Sequence, residues 1–172
     1  MPRNVEIKAR IDSVEALVPK ATAIATEGPT DIAQDDTFFH CDTGRLKLRM
    51  FTPDAGELIF YRRADARGPK ESFYVRTPTA DPAGLRDALS LACGLAGRVR
   101  KQRTLFISGR TRIHLDRVEG LGDFIELEVV LDEDEPIDVG VKQARALMAL
   151  LGIATDRLVE TAYVDLLGQA AR

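Results

Sequence analysis

The sequence predicts an α+β protein: a closed eight-stranded antiparallel β-barrel that forms a tunnel with a charged lumen, with helices packed outside it. Eight segments alternate between apolar and polar residues, hairpin turns join most of them, and amphipathic helical segments lie between them. Eight strands are enough to close a barrel. The helices need an apolar surface on which to bury their stripes. If the helices lie outside, the charged faces of the strands must line the bore.

The strands are predicted from alternation with a period of two residues. In the first strand, Val5, Ile7 and Ala9 alternate with Glu6 and Lys8. The same pattern returns between turns that are rich in Asp, Gly and Pro. The predicted strands cover residues 4–11, 32–40, 45–51, 57–63, 71–76 and 98–107, and the two arms of a hairpin within residues 110–131.

The helices are predicted from capping residues and helix breakers. Asp12 and Ser13 are both suitable caps for the first helix, and Asp81 followed by Pro82 begins the second. Gly152 ends the third helix. The polar segment 65–69 contains Gly and Pro and is predicted to be a loop. The predicted helices cover residues 14–26, 82–93, 139–151 and 157–167.

The hairpin within residues 110–131 carries a dense group of charged residues. Its arms fold about the turn Gly120-Leu121-Gly122, and one face of both arms is apolar. Like His40, His114 is expected to be a hydrogen-bonded structural histidine. The other face carries Arg112, His114, Asp116, Glu126 and Glu128.

Composition narrows the class of protein. The 172 residues, 45% apolar and 30% charged and without repeats or linkers, are expected to form a single domain over residues 1–172. The net charge of −3 excludes a broadly basic nucleic-acid binder. The amino-terminal segment has no apolar core of signal-peptide length, and no apolar run is long enough to cross a membrane. Cys41 and Cys93 are interpreted as free thiols, so a cytoplasmic protein is expected.

The expected lumen is ionic, and burying so many charges costs free energy unless they are paired or meet a ligand. Lysines and arginines from several strands suit a polyanion such as a phosphate chain. Carboxylates on the same wall would repel that anion unless a divalent cation lies between them. Oxygen ligands without a His or Cys cluster favour Mg²⁺ or Mn²⁺. The residues expected to line the bore are Glu6, Lys8, Lys47, Arg49, Lys101, Arg103, Arg112, Asp116, Glu126 and Glu128, with Arg62 or Arg63 according to register.

At these residues the chain resembles the CYTH superfamily, the triphosphate tunnel metalloenzymes, which include class IV adenylyl cyclases and thiamine triphosphatases. Val5-Glu6-Ile7-Lys8 is similar to the ExExK signature of that family. The first Glu of the signature is Asn4 here, which removes one carboxylate from the metal side. The other matching segments are DTFF (36–39), RLKLR (45–49), LIFYRR (58–63), VRKQR (99–103), RIHLDRVEGLGDFIELE (112–128) and YVDLL (163–167).

The resemblance implies a role for each residue at a matching position. Lys8, Arg103 and Asp116 are expected to be catalytic, and Asp116 would either bind metal or orient the nucleophile. The implied metal ligands, for Mg²⁺ or Mn²⁺, are Glu6, Asp116, Glu126 and Glu128. The implied triphosphate ligands are Lys8, Lys47, Arg49, Arg62, Arg63, Lys101, Arg103 and Arg112.

The residues leave several functions open. A metal-dependent class IV adenylyl cyclase-like enzyme is the first expectation, and a hydrolase of inorganic or thiamine triphosphate is the alternative. The same tunnel can serve both reactions, because each needs charge neutralisation and alignment at phosphorus. Asn4 motivates a third hypothesis, a phosphate-metabolite binding module without turnover, and a structural barrel with internally paired charges is the fourth. A monomer or a homodimer, with a nucleotide or other triphosphate as substrate, is expected.

Overall fold

Eight antiparallel strands close into a ring in the structure, a computed structural model that describes residues 3–63 and 67–171. The strands are β1 (Arg3–Arg10), β2 (Glu27–Phe39), β3 (Arg45–Thr52), β4 (Ala55–Arg63), β5 (Lys70–Thr79), β6 (Leu95–Ser108), β7 (Thr111–Val118) and β8 (Gly122–Leu131). Around the ring their order is β1-β5-β4-β3-β2-β6-β7-β8, with β8 pairing back onto β1. The predicted closed barrel of eight strands is confirmed.

Within the residues that the structure describes, four α-helices accompany the ring: α1 (Val14–Ile24), α2 (Pro82–Cys93), α3 (Ile137–Leu151) and α4 (Tyr163–Ala170). The predicted caps act as expected at two of them. The Ser13 hydroxyl accepts a hydrogen bond from the Ala16 amide (3.0 Å), and an Asp81 carboxylate oxygen accepts one from the Gly84 amide (2.9 Å). Gly152 ends α3 in the left-handed conformation (φ 71°), which a glycine adopts without steric cost.

The main core lies between the outer face of the sheet and the helices. On β1, Val5, Ile7 and Ala9 are buried, and Ile7 and Ala9 pack in one cluster with residues of α1 and α3. The alternate residues of β1, including Glu6 and Lys8, line the inside of the ring. The inverted arrangement expected from the sequence, with apolar faces outward and charged faces inward, is therefore present.

The structure corrects the carboxyl-terminal helix expected over residues 157–167. A 3-10 turn at Thr155–Arg157 is followed by extended backbone, in which Leu158 bridges to Ala9 and the Val159 amide donates to the Lys8 carbonyl oxygen (2.9 Å). This pairing with the end of β1 replaces the helical hydrogen bonds, so α4 begins only at Tyr163. Strands β2 and β6 also begin earlier than predicted and pair along most of their length.

Other expectations concern termini, thiols and loops. Cys41 and Cys93 are both free, as predicted. Within residues 3–63 and 67–171, no helix has both the length and the apolar character needed to cross a membrane. The loop predicted over residues 65–69 falls partly outside the described residues.

Candidate functional site

The ring encloses a cavity of about 270 Å³, lined by inward-facing residues from all eight strands. One end is covered by Thr161 and Ala162, which precede α4, and by Tyr163, its first residue. There, Lys8 Nζ donates to the Thr161 carbonyl oxygen (3.3 Å), and Ala162 and Tyr163 contribute to the lining. At the other end, the lining residues Phe51 and Arg76 are exposed. The cavity therefore opens to solvent at the Phe51 end.

A first group of charges surrounds Asp36, whose side chain is almost completely buried. Arg49 donates two hydrogen bonds to the two carboxylate oxygens (2.8 Å each), and Lys47 Nζ donates a third (2.9 Å). Burial would raise the pKa of Asp36, but Lys47 and Arg49 outweigh it and hold this pKa far below its usual range. Asp36 is thus an ionised counterion for two cations that face the lumen.

A second group joins Arg103, Asp116 and Tyr163. Arg103 donates two hydrogen bonds of 2.7 Å to the Asp116 carboxylate, and the Tyr163 hydroxyl donates another (2.9 Å). Lys101 Nζ lies 3.7 Å from the same carboxylate. Burial disfavours ionisation of Asp116, yet Arg103 and Lys101 hold its pKa well below the usual range. Asp116 therefore orients Arg103 and is absent from the cluster of side chains that could share an ion, which departs from the metal-ligand role expected from the sequence.

A third group contains the hairpin carboxylates. Glu126 lies 3.3 Å from Lys8 and 3.6 Å from Arg103, and Glu128 Oε2 accepts a hydrogen bond from Arg112 Nε (2.8 Å). His114, Glu126 and Glu128 each present one ligand atom, and these atoms lie within 4.8 Å of one another.

Both glutamates of this group are ionised in the folded protein. Burial opposes ionisation of Glu126, but Lys8 and Arg103 keep its pKa well below the usual value. Burial likewise opposes ionisation of Glu128, and nearby cations lower its pKa to about 2. The two side chains are therefore carboxylates at neutral pH, as ligation of a divalent cation requires.

Glu6 is directly opposite Glu128 in the pairing of β1 with β8, but its carboxylate is bound by Arg63. The pairing places Glu6 beside the cluster formed by His114, Glu126 and Glu128 without making it a member of that cluster in this structure.

The three lumen lysines have lowered pKa values. Burial is the main cause at each, and neighbouring cations add to it: Arg63 at Lys8, Arg49 at Lys47 and Arg103 at Lys101. The pKa of Lys101 falls to about 7. Because a bound polyanion would favour the charged form, Lys101 is set to gain a proton when an anion enters.

Four buried polar atoms have no hydrogen-bond partner among the described residues: Asn4 Oδ1, Gln34 Oε1, Arg63 Nε and His114 Nδ1. All four residues line the cavity. Buried polar atoms are normally paired, since an unpaired one costs about 1–3 kcal/mol. Orphaned acceptors beside ionised carboxylates, together with an orphaned guanidinium nitrogen, fit a site that holds a cation and an anion.

The structure brings most of the predicted site residues together and separates one. Arg62 is exposed on the outer face, where its guanidinium lies over the rings of Phe60 and Phe73 (5.7 and 5.6 Å), so Arg63 is the inward residue of that pair. The predicted residues that face the cavity are Glu6, Lys8, Lys47, Arg49, Arg63, Lys101, Arg103, Arg112, Glu126 and Glu128.

Sequence reasoning missed Asp36, Tyr163 and the exceptional position of His114. The two adjacent aspartates at 35 and 36 leave the inward residue of β2 ambiguous until pairing fixes the register. Tyr163 was inside a predicted helix, although its position in the matching segment YVDLL was a signal. His114 was expected to be hydrogen-bonded, whereas its Nδ1 has no partner among the residues that the structure describes.

Known proteins resemble this chain over nearly its whole length. A family model described as the CYTH domain matches residues 2–163. The chain is similar to adenylate cyclase CyaB of Aeromonas hydrophila, with 25% identity over 178 residues that cover 97% of this chain and 90% of that protein.

Two solved structures show the same fold at low sequence identity. The PH1012 protein of Pyrococcus horikoshii OT3 has a TM-score of 0.84 and 22% identity, covering 95% of this chain and 98% of that one. HpAC1 of Hippeastrum, an adenylyl cyclase by name that is described as having a dominant triphosphatase activity, has a TM-score of 0.63 and 15% identity, covering 100% of this chain and 97% of that one.

Proposed function

The chain belongs to the CYTH domain family, and from that premise we propose that it is a divalent-metal-dependent enzyme whose substrate places a triphosphate in the lumen of the ring. The observation that carries this proposal is the enclosed lining, in which basic side chains outnumber carboxylates. Such a lining attracts a polyanion, and arginines bind phosphate oxygens through paired hydrogen bonds.

The phosphate chain would contact cations from several strands at once. Lys8, Lys101 and Arg103 lie near the covered end, where they are at least nine-tenths buried. Arg49 and Lys47 approach from the Asp36 side, and Arg63 and Arg112 complete the set. Asp36 and Asp116 hold these cations in place before substrate arrives, so little reorganisation is needed at the moment of reaction.

The carboxylates Glu126 and Glu128, with Glu6 beside them, are the residues that would hold a divalent cation. Such a cation supplies charge neutralisation at the phosphate oxygens. In the free protein the same carboxylates are bound by Lys8, Arg112 and Arg63. Binding of cation and triphosphate together would give each charged group a new partner.

We favour adenylyl cyclase chemistry as the first reaction. The ribose 3′-oxygen forms a bond to the α-phosphorus and loses its proton, the bond from that phosphorus to the β-phosphate oxygen breaks, and pyrophosphate leaves. Similarity to CyaB over nearly the whole chain supports this choice. Ile32, Phe51 and Leu105 also give the cavity lining apolar surface that suits a nucleoside.

Triphosphate hydrolysis is the second candidate, in which water attacks the terminal phosphorus, the bond from that phosphorus to the bridging oxygen breaks, and phosphate and the diphosphate leave. The observation that favours it is the concentration of buried cations at the covered end of the cavity, where the terminal phosphate would lie. A binding module without turnover is a third candidate, since Asn4 provides a neutral amide oxygen beside Glu6 rather than a further carboxylate.

Product analysis separates the three candidates. The purified protein is incubated with ATP, tripolyphosphate or thiamine triphosphate and with Mg²⁺ or Mn²⁺. Cyclic AMP and pyrophosphate from ATP are expected. Release of phosphate without cyclic AMP would replace the cyclase by a triphosphatase. Thermal stabilisation by tripolyphosphate with no product under either metal would indicate the binding module.

Adjacent arginines provide a matched control for the site. Arg63→Ala removes a guanidinium from the lumen, and Arg62→Ala removes one from the outer face. Activity and tripolyphosphate binding should fall in the first variant and persist in the second. Equal losses in both variants would contradict a substrate site inside the ring.

A further inference from the structure

We propose that His114 is a nitrogen ligand of the cation site, together with Glu126 and Glu128, and that the site therefore takes a divalent first-row transition ion, such as Mn²⁺, in preference to Mg²⁺. This inference deepens the proposed function, because it concerns the ion of the same site. It does not depend on which triphosphate reaction the protein catalyses.

The distances between the three side chains suit one ion. Two ligands that are each about 2.1 Å from an ion lie about 3 Å apart at a right angle and about 4.2 Å apart when opposite. His114 Nδ1 lies 3.8 Å from Glu128 Oε1, and the three candidate ligand atoms lie within 4.8 Å of one another. Shifts of about half an ångström would close the set around one ion.

The strands hold this set in place. His114 on β7 is directly opposite Glu126 on β8, and Glu128 follows two residues later on the same face of β8. The pairing of β7 with β8 is continuous from Thr111 opposite Val129 to Val118 opposite Gly122. A site on paired strands is more precisely arranged than one on loops.

The imidazole has an unused nitrogen directed at the carboxylates. His114 is 5% exposed, and its Nδ1 has no hydrogen-bond partner among the described residues. The 3.8 Å to Glu128 Oε1 is too long for a hydrogen bond. Glu128 is bound to Arg112 through Oε2, which leaves Oε1 on the His114 side. A cation between these two atoms would give both of them a partner.

The donor set decides which ion is preferred. Mg²⁺ favours an octahedral shell of oxygen ligands, whereas imidazole nitrogen suits transition ions. At the position of the first ExExK carboxylate, Asn4 offers only a neutral oxygen, and that atom is buried without a hydrogen-bond partner in residues 3–63 and 67–171. Loss of one carboxylate weakens the attraction for any divalent cation, whereas the added imidazole restores affinity only for ions that accept a nitrogen ligand, which Mn²⁺ does more readily than Mg²⁺.

Pulsed electron paramagnetic resonance on the unmodified protein tests the inference directly. Mn²⁺ alone is added, and then Mn²⁺ with tripolyphosphate, and the ¹⁴N modulation of the bound ion is recorded. Modulation from a directly coordinated nitrogen is expected, and ¹⁵N-labelling of histidine in the unmodified chain should change it. Bound Mn²⁺ without histidine-dependent coupling, or no bound Mn²⁺ under either condition, would overturn the inference.

Two variants sharpen the test. His114→Asn places an amide where the imidazole lies, and should abolish the nitrogen coupling and reduce the preference for Mn²⁺ over Mg²⁺ in a competition assay by about tenfold or more. His40→Asn, at the other histidine of the chain, should change neither. An unchanged ion preference in a folded His114→Asn protein would contradict the proposal.

The outcome is separable from that of the proposed function. Nitrogen coupling without any product from a triphosphate would support the ion site and contradict the proposed enzymatic activity. Turnover of a triphosphate with Mn²⁺ bound only through oxygen would support the enzymatic activity and contradict the role of His114 as a ligand.

Discussion

At the scale of single residues, two buried aspartates are the counterions of the lumen cations, and the alternation pattern predicts only one of them inside the ring. Asp116 was expected inside the ring, and Asp36 was not, yet each serves as the ionised partner of two or more cations. Removing one member of a buried ion pair costs more than the pair contributes, because the remaining charge is left without a partner.

Asp36→Asn should destabilise the free protein by about 3–5 kcal/mol, because Lys47 and Arg49 lose their counterion. The measurement is chemical denaturation without ligand. The neighbouring Asp35→Asn is the control: Asp35 pairs with the exposed Arg98, so its loss should cost less than about 1 kcal/mol.

Tripolyphosphate should also stabilise the Asp36→Asn protein more than the unmodified protein, since the anion replaces the missing negative charge beside Lys47 and Arg49. Equal stabilisation of the two proteins would show that these two cations do not face the bound anion.

Lys101 should couple anion binding to proton uptake. Its pKa of about 7 in the free protein leaves it mostly neutral at pH 8, and a bound polyanion raises that pKa. Binding at pH 8 should therefore take up about 0.9 proton at this residue, against about 0.1 at pH 6, and affinity should fall as the pH rises above 7. Calorimetry in buffers of different ionisation enthalpy measures the uptake.

Lys101→Arg is the reference for that experiment, because arginine stays protonated throughout this range. The proton uptake of the unmodified protein at pH 8 should exceed that of the variant by the stated amount. The same uptake in both proteins would assign the proton to the ligand or to another residue.

At the scale of elements, alternation predicted the strands well because one face of each strand is apolar and covered. Val5, Ile7 and Ala9 form that apolar face on β1, and their spacing of two residues is visible in the sequence. The early part of β2 could not be predicted in this way: residues 27–31 are all exposed, and Pro29 there is typical of a loop. The partner strand β6 supplies its hydrogen bonds, and a distant partner is invisible to a local pattern.

The helix predicted over residues 157–167 was wrong at its start for a related reason. Residues 157–167 have helical composition, but the Val159 amide bonds to the end of β1, and Tyr163 is held by Asp116. The charged side of the site was predictable from the strands. Its covered end was not, because tertiary contacts decide where α4 begins.

Gly97→Ala should loosen α4 from the ring. An added Cβ would lie 2.5 Å from Val164 Cγ2, so one of the two must move, at a cost of about 1–3 kcal/mol in unfolding free energy. Gly168→Ala, in α4 with no atom within 4 Å of the added Cβ, should be neutral or slightly stabilising. Thermal or chemical unfolding measures both.

A second substitution checks the cause. Val164→Ala removes the obstructing methyl group. The double variant Gly97→Ala, Val164→Ala should therefore lose less unfolding free energy than the sum of the losses in the two single variants. Simple additivity would mean that Gly97 matters for a reason other than its contact with α4.

At the scale of the whole molecule, the closed ring makes ligand binding and folding one thermodynamic system. The lumen cations come from β1, β3, β4, β5, β6 and β7, and they converge only when the ring is complete. A ligand that bridges them therefore binds the folded state and not the unfolded chain.

Tripolyphosphate at about 100 times its dissociation constant should stabilise the fold by about 2.7 kcal/mol. For a chain of 172 residues, this corresponds to a rise of about 5–11 °C in the unfolding midpoint. Differential scanning calorimetry measures the shift, with sodium sulfate at matched ionic strength as the control. A similar rise with sulfate would indicate general anion screening in place of a fitted triphosphate.

Thr161, Ala162 and Tyr163 close one end of the bore, so that ligands enter and leave through the opposite end. A single opening fixes the orientation of the substrate: the triphosphate enters first, and the bulkier organic part stays nearest the opening. In the proposed cyclisation, the cyclic nucleotide must then depart before pyrophosphate can follow. Pyrophosphate should consequently inhibit as a competitor of ATP, and the cyclic product should not.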